Sequence, residues 1–298
     1  REQQVYTYCG GGVAASIPYF ALKFIAGYPK VGLFVGSQLE WNQDERMLPL
    51  WTYSAPSLLR DRNWVNGWTS RMARTYGLTR QSVIDVRPAE SYAQGHVPFA
   101  LSVPVEVFTA HRNDPAKLAE VLGAAGVDPS FEAVVVSEGG INPRSALAFV
   151  MLERLGQKRV SILADSVDDW GLAGLPLAKE PTAVGPKKSP FDLPIAPQPY
   201  RTEARPGVLI RDPAATRGQY GKVFVASGAA VPTGLAGKTG NASVIHLPYA
   251  TLLNADGSPK AAKDIWNLLA RAGVPRFAEI VTVADDPGEA AANYVVLK

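Results

Sequence analysis

The sequence contains one cysteine and three histidines in 298 residues. A single cysteine excludes an internal disulfide and a metal site built from several cysteines, and the histidines lie too far apart for ligand spacing. No apolar run of about eighteen residues occurs, so we expect no membrane-spanning segment. The charge is nearly balanced, with 30 basic against 27 acidic residues, and this does not favour a nucleic-acid binder.

The composition instead fits a globular protein of more than one domain. Apolar residues make up 47% of the chain, which is enough to build a packed core. A length of 298 residues accommodates two or three domains of ordinary size. The chain begins with Arg1 and shows no signal-peptide pattern, so its start does not indicate a compartment.

The lone cysteine, Cys9, stands between a β-rich run, residues 5–8, and a helix-like run, residues 17–25. Glycines allow consecutive backbone N–H groups to turn inward and form an anion-binding nest, and a helix that follows directs its positive end to the same place. Both effects lower the pKa of a thiol and favour a nucleophilic thiolate. The alternative is a buried structural cysteine. We call residues 9–16 the first loop, and after Cys9 they are Gly10, Gly11, Gly12, Val13, Ala14, Ala15 and Ser16.

The chain repeats itself. The segment 134–140 matches the segment 5–11, so that Glu138 takes the place of Cys9. Three further pairs agree with no insertion, which indicates that residues 1–50 and 130–178 are copies of one strand–loop–helix–strand unit. The pairs, at equal spacing from Cys9 and from Glu138, are Ser16 and Ser145, Gly27 and Gly156, and Trp41 and Trp170.

A looser repeat relates the middle of the chain to its end. Residues 104–136 resemble residues 248–283, each with a helix that ends at a glycine and is followed by an apolar strand. In this match Asp285 falls at the cysteine position. We call residues 138–145 the second loop and residues 284–288 the third loop.

These repeats predict three modules. Residues 1–55 form the C-terminal part of a first module that carries the cysteine loop, and residues 56–180 form a complete second module. Residues 181–199 are a proline-rich linker, and residues 200–298 form a degenerate, incomplete third module. Short apolar strands alternate with helices, which predicts an α/β fold with a central parallel sheet flanked by helices in each module.

Three segments resemble the rhodanese, or thiosulfate sulfurtransferase, family. Residues 85–98 (DVRPAESYAQGHVP) look like the early signature of rhodanese modules, in which Asp85, Arg87 and His96 are the marked positions. The first loop (CGGGVAAS) is similar to the active-site loop of that family. Residues 36–41 (GSQLEW) resemble the Gly-Ser-x-x-x-Trp segment that follows its last strand.

The resemblance implies tandem rhodanese modules and a sulfurtransferase. A cysteine of this family accepts a sulfane sulfur, from thiosulfate or 3-mercaptopyruvate, and passes it from a persulfide to a thiophilic acceptor. Here that residue would be Cys9. The expected partners are small sulfur-containing anions, with a protein partner or larger assembly as a further expectation. No metal or organic cofactor is expected, because the loop amides and the helix end can hold the persulfide charge.

The chain also departs from the family pattern. Glu138 and Asp285 replace the cysteine, so we predict that the second and third modules are catalytically silent. Asp85, Arg87 and His96 then have structural rather than catalytic roles. Arg144 is either an anion ligand at a helix start or a surface arginine.

Two other functions compete with sulfur transfer. One is a non-catalytic scaffold or accessory subunit of a larger complex, which two silent modules favour. The other is a phosphatase-like enzyme. Such an enzyme should have an arginine near the end of the loop, but Ala15 and Ser16 stand there. Because only eight residues precede Cys9, we also expect this chain to be a window from a longer series of rhodanese repeats.

Overall fold

The computed structural model describes residues 3–41, 57–189, 192–200, 204–205, 207–209, 221–235 and 237–298. The chain divides into two compact units, Arg1–Pro56 and Ser57–Lys298. The predicted boundary between the first and second modules, and Pro190 of the predicted linker, lie outside the described residues.

Within residues 3–41, the first unit is built around two parallel strands. Val5 lies beside Val31 and Thr7 beside Leu33 in their register. The helix between the strands changes from α-helical to π-helical hydrogen bonding over its second half, Ala21–Ile25. The elements in chain order are β1 (Val5–Thr7), α1 (Ser16–Phe20), β2 (Val31–Leu33) and α2 (Ser37–Trp41).

The described part of the second unit begins with a five-stranded parallel sheet of order β3-β7-β6-β4-β5. Its two central strands, β4 and β6, are buried along their whole length, as expected for a parallel sheet covered on both faces. The strands are β3 (Leu59–Arg60), β4 (Gln81–Asp85), β5 (Leu101–Ser102), β6 (Glu132–Val136) and β7 (Arg159–Leu163). The helices are α3 (Arg62–Thr69), α4 (Arg71–Thr75), α5 (Ala89–Gln94), α6 (Val105–Ala110), α7 (Pro115–Ala124), α8 (Pro143–Arg154) and α9 (Val167–Leu172).

Successive side chains along each strand of this sheet point to alternate faces, so the core is divided between the two faces of the sheet. Ile84 and Val135 pack with Phe108 of α6 on one face. Val83 and Val134 pack on the other face, and the cluster there includes the fully buried Trp170 of α9. Side chains of adjacent residues point to opposite faces of a strand, so one apolar run supplies both layers.

The described residues near the end of the chain form a second parallel sheet of order β10-β8-β9. Its last helix, α11, packs against α8 of the second module, and the Tyr294 hydroxyl donates a 2.9 Å hydrogen bond to Glu153. The elements are β8 (Lys222–Ala226), β9 (Ser243–His246), α10 (Ala262–Arg271), β10 (Glu279–Val283) and α11 (Pro287–Leu297). The predicted α/β fold, with parallel sheets flanked by helices, is confirmed.

The described residues of the proline-rich segment, 181–189 and 192–199, lie along the second module. The Thr182 N–H donates to the Tyr92 hydroxyl at 3.1 Å, and the Gln198 N–H donates to the Gly123 carbonyl at 2.9 Å. Ile195 packs against the core of the second module. The described residues of this segment therefore pack on the second module.

Candidate active site

Cys9 lies two residues beyond β1, where the chain turns toward α1. The segment after β2 holds its backbone from both sides. The Cys9 N–H donates to Ser37 Oγ at 3.1 Å, and the Cys9 carbonyl accepts from the Gln38 N–H at 3.0 Å. Ser37 Oγ donates in turn to the Phe34 carbonyl at 2.8 Å. The predicted nucleophile is thus tied by hydrogen bonds to Ser37, the buried serine of the Gly-Ser-x-x-x-Trp segment.

The first loop presents backbone N–H groups to the Cys9 sulfur. The Gly12 N–H lies 3.1 Å from Sγ. Desolvation raises the pKa of the Cys9 thiol, but the amides of Ala15, Gly11, Gly12 and Ala14 lower it, and the net pKa is below the ordinary cysteine value. The loop therefore stabilises a thiolate with backbone dipoles alone.

Gly12 has a conformation that this loop requires. Its φ is +90°, which L side chains rarely adopt. A Cβ at this position would overlap the carbonyl oxygen of Val35. Gly10 is different, because a Cβ there would meet no atom within 4 Å. Of these two glycines, only Gly12 is needed to bring the loop backbone close to the Cys9 sulfur.

The second loop matches the first in sequence but not in its hydrogen bonding. Gly140, Ile141 and Arg144 match Gly11, Gly12 and Ala15, and Pro143 matches Ala14. Their N–H groups donate to Leu163, to Gly257 and to the Asn142 side chain, at 3.1, 2.8 and 3.0 Å. Pro143 has no N–H at all. Four residues of the second loop match the four whose amides act on Cys9. Three of them donate their N–H to other groups of the protein, and the fourth has no N–H.

Glu138 occupies the cysteine position of this second loop and forms an ion pair with Arg144 at 3.0 Å. Both side chains are more than one-third exposed, with relative accessibilities of 54% and 39%. Arg144 lies at the start of α8, partly exposed, and its guanidinium is paired with the carboxylate that stands at the position matched to Cys9.

The third module covers the second loop. The Ile141 N–H donates to the Gly257 carbonyl, and a Cβ on Gly140 would lie 2.7 Å from the carbonyl oxygen of Asp256. At the other end of the loop, a Cβ on Gly288 would lie 2.6 Å from the carbonyl of Pro143. The backbone of the third module therefore packs closely against the second loop at these glycines. The sequence carries no signal for this contact, because a glycine in a turn is compatible with many partners.

The third loop is anionic. Asp285 stands at the cysteine position, and Asp286 caps α11 by accepting the Gly288 N–H at 2.8 Å. Partial burial raises the pKa of the nearby Glu289, and the charges of Asp286 and Asp285 raise it further. This concentration of carboxylates disfavours an anionic sulfur donor.

The signature residues of the second module are buried together. Asp85 and Arg87 form an ion pair at 2.6 Å, and Arg87 also donates to the Gly95 carbonyl at 2.8 Å. His96 is fully buried and stacks on Tyr92 at 3.7 Å, and burial lowers its pKa. These contacts join β4 to the end of α5.

The described residues contain no group of three or more His, Cys, Asp or Glu side chains that could hold a metal ion. In the same part of the chain, no helix has both the length and the apolar character needed to cross a membrane.

Comparisons with known proteins agree with the fold. The sequence profile of the rhodanese-like domain matches residues 67–173. A Synechococcus elongatus protein that carries the provisional name thiosulfate sulfurtransferase is 24% identical over 87% of this chain and 88% of its own length. Such relatives support sulfur transfer as the general class of function.

Two solved structures show the same fold at low identity. The 3-mercaptopyruvate sulfotransferase SseA from Escherichia coli is 17% identical with a TM-score of 0.58, over 81% of this chain and 93% of that one. The anaerobic ergothioneine biosynthesis enzyme from Chlorobium limicola is 16% identical with a TM-score of 0.61, over 98% of this chain and 76% of that one. Residues 67–173 therefore carry a rhodanese-like domain.

Proposed function

We propose that this chain is a sulfurtransferase that carries sulfane sulfur as a persulfide on Cys9, with thiosulfate or 3-mercaptopyruvate as donor. The observation that carries the proposal is the set of four backbone amides at the Cys9 sulfur, together with a lowered thiol pKa. A cradle of this kind suits both the attacking thiolate and the persulfide anion that replaces it.

The chemistry balances without an oxidant. The Cys9 thiolate attacks the outer sulfur of thiosulfate, a new S–S bond forms, and sulfite leaves with the electron pair of the broken S–S bond. With 3-mercaptopyruvate the C–S bond breaks instead, and the carbon fragment takes a proton to become pyruvate. A thiophilic acceptor then attacks the outer sulfur of the persulfide and returns Cys9 to the thiolate.

Names and structures of relatives support this assignment. Two similar proteins are named for transfer from thiosulfate and from 3-mercaptopyruvate. A solved structure of EanB with this fold, at 16% identity and a TM-score of 0.56, holds a cysteine persulfide.

The test is donor-dependent persulfide formation. The chain is treated with thiosulfate or with 3-mercaptopyruvate, and intact and peptide masses are measured before and after addition of a thiol acceptor. We expect one added sulfur atom on the peptide that contains Cys9, removed by the acceptor, and no transfer by Cys9→Ala. Thr75→Ala, a change at an exposed residue of α4 outside the loop, should retain transfer. Full sulfur transfer by Cys9→Ala would show the proposal to be wrong.

A scaffold function is the second candidate, and a specific observation favours it for part of the chain. The amides of the second loop are bound within the protein, and the third module covers that loop. If Cys9 takes up no sulfur from either donor, while the chain forms a stable complex with a partner protein, the scaffold function replaces the catalytic one.

A further inference from the structure

Four large apolar side chains are exposed around α4, in the second module. Their exposed fractions are 46%, 70%, 73% and 57%, for Trp68, Met72, Tyr76 and Leu78 in that order. A single exposed apolar residue is ordinary, but a group of neighbouring ones marks an interaction surface. We call these four side chains the α4 patch.

Local hydrogen bonds bring three of these residues together. Met72 and Tyr76 are four positions apart, and the Tyr76 N–H donates to the Met72 carbonyl at 3.1 Å, so both lie on one side of the helix. The chain then turns at Gly77, whose φ is +65°, and the Leu78 N–H donates back to the Ala73 carbonyl at 2.8 Å. Such a helix ending commonly sets the residue after the glycine against the last helical turn, which here contains Met72.

The same turn joins the patch to the end of α3. The Thr79 hydroxyl donates to the Trp68 carbonyl at 2.9 Å, so Leu78 and Trp68 belong to two segments in contact. Thr69 and Ala73 are buried, and they anchor α3 and α4 on the module. The fold therefore holds the four apolar side chains in one small region of the surface.

The charge around the patch is positive. Residues 62–84 contain four arginines and no acidic residue. Two of the arginines serve the second module itself, since Arg62 pairs with Asp165 and Arg74 stacks on the ring of Phe99 at 4.5 Å. The other two are exposed, and they are Arg71 and Arg80.

Arg80 is held beside the patch by neutral groups. Its Nη1 donates to the carbonyls of Gly77 and Thr79, at 2.9 Å each. Glu132 is close in the backbone, because its N–H donates to the Arg80 carbonyl, but its carboxylate lies 2.8 Å from the guanidinium of Arg60. That carboxylate is engaged elsewhere, so the cation of Arg80 adds to a positive edge of the α4 patch.

We infer that the α4 patch binds the surface of an anionic lipid bilayer. Tryptophan and tyrosine favour the boundary between headgroups and acyl chains, where methionine and leucine side chains also leave water. Arginines at the edge of such a surface attract lipid phosphates. The patch combines these residue types with a local charge opposite to that of the bilayer. This inference goes beyond sulfur transfer and does not depend on it.

The exposure of the patch favours a bilayer over an acidic protein as its partner. Met72 and Tyr76 project from the surface, with 70% or more of each side chain in water. A protein partner would need pockets shaped for these projecting side chains. A bilayer is fluid and needs no matching pocket, so apolar contact and charge are sufficient.

Vesicle binding tests the inference on the whole chain. The chain is mixed with sucrose-loaded vesicles of phosphatidylcholine alone, or of phosphatidylcholine with phosphatidylglycerol, and the bound fraction after centrifugation gives a partition coefficient. We expect a coefficient about tenfold or more higher for the anionic vesicles, since each arginine near the surface contributes to the attraction. Added NaCl should lower it, because salt screens that attraction.

Matched variants locate the binding surface. Met72→Glu removes an apolar contact and places a carboxylate against the lipid phosphates, so it should lower the coefficient about tenfold or more. Methionine and glutamate have similar helix propensities, and urea unfolding checks that the fold is retained. Leu172→Glu makes the same change of charge at an 86% exposed position of α9, and it should bind vesicles like the unchanged chain.

Three outcomes would overturn the inference. The first is no binding of the unchanged chain to anionic vesicles, and the second is an equal loss of binding in Met72→Glu and Leu172→Glu. The third comes from light scattering without vesicles. If the unchanged chain is a dimer and Met72→Glu is a monomer, the patch is an interface between two copies of the chain. Loss of vesicle binding in Met72→Glu alone, with an unchanged mass in solution, supports the bilayer as partner.

Discussion

The backbone N–H of Cys9 donates to the hydroxyl of Ser37 at 3.1 Å, across 28 residues of sequence. Ser37 is fully buried and has a φ of +48°, in the left-handed region that non-glycine residues rarely adopt. Such a conformation persists only when its surroundings hold it, and it is often found at functional sites. The segment after β2 therefore fixes the position of the Cys9 backbone.

Replacing Ser37 tests this link. Ser37→Ala removes the acceptor of the Cys9 N–H and leaves the partly buried carbonyl of Phe34 without this donor. We expect a loss of about 1–3 kcal/mol in the free energy of unfolding and slower alkylation of Cys9 by iodoacetamide. Ser16→Ala, which also removes a serine hydroxyl from a hydrogen bond to a carbonyl, is the control and should show a smaller effect in both measurements. Equal behaviour of the two variants would contradict the role given to Ser37.

The lowered pKa of Cys9 predicts a pH dependence. Because the amides favour the thiolate, alkylation of Cys9 should reach half its maximal rate at a pH below the ordinary cysteine pKa. Gly12→Ala forces a change of the loop, since a Cβ would overlap the Val35 carbonyl, and moves the Gly12 N–H away from the sulfur. The midpoint should then move to higher pH.

Gly10→Ala is the matched control for this pH profile. Its Cβ would enter open space, so the loop and the midpoint should be retained. If Gly12→Ala leaves the midpoint where it is, backbone amides are not what activates Cys9.

A cysteine placed in the second loop should not restore activity. We expect that Glu138→Cys, made together with Cys9→Ala, forms no persulfide with thiosulfate or 3-mercaptopyruvate. The reason is that the Gly140 and Ile141 amides are bound to protein carbonyls and Pro143 has no N–H. The mass of the peptide that contains position 138 is measured after donor treatment. The peptide that contains Cys9 in the unchanged chain, treated in the same way, is the positive control. Uptake of sulfur there would show that a cysteine alone is sufficient.

The contact between the second loop and the third module should contribute to stability. Gly140→Ala introduces a methyl group 2.7 Å from the Asp256 carbonyl and also strains a φ of +59°. Gly240→Ala has the same φ of +59° but open space around it. Both variants should lose about 1 kcal/mol to backbone strain, and overpacking should cost Gly140→Ala about 1–3 kcal/mol more in urea unfolding. If the two variants lose the same free energy of unfolding, the contact between Gly140 and Asp256 does not contribute to stability.

The sequence predicted the architecture of this chain well, because periodicity reports it directly. Apolar runs such as residues 132–136 alternate with amphipathic helices, and this pattern has few solutions other than a covered parallel sheet. The strand, loop and helix around Cys9 were also predictable, since glycines after a strand mark a tight turn. The contacts of Ser37 and Gly257 were not, because each joins segments far apart in the chain.

By itself, the sequence determined that Cys9 is the single thiol and that Glu138 and Asp285 stand at the positions that the predicted repeat matches to it. These are matters of residue identity and spacing. Only the tertiary structure decided which backbone amides remain directed at a sulfur and which are already bound. The hydrogen-bond partner of an amide is set by the segment that packs against it, and the residue type does not specify that segment.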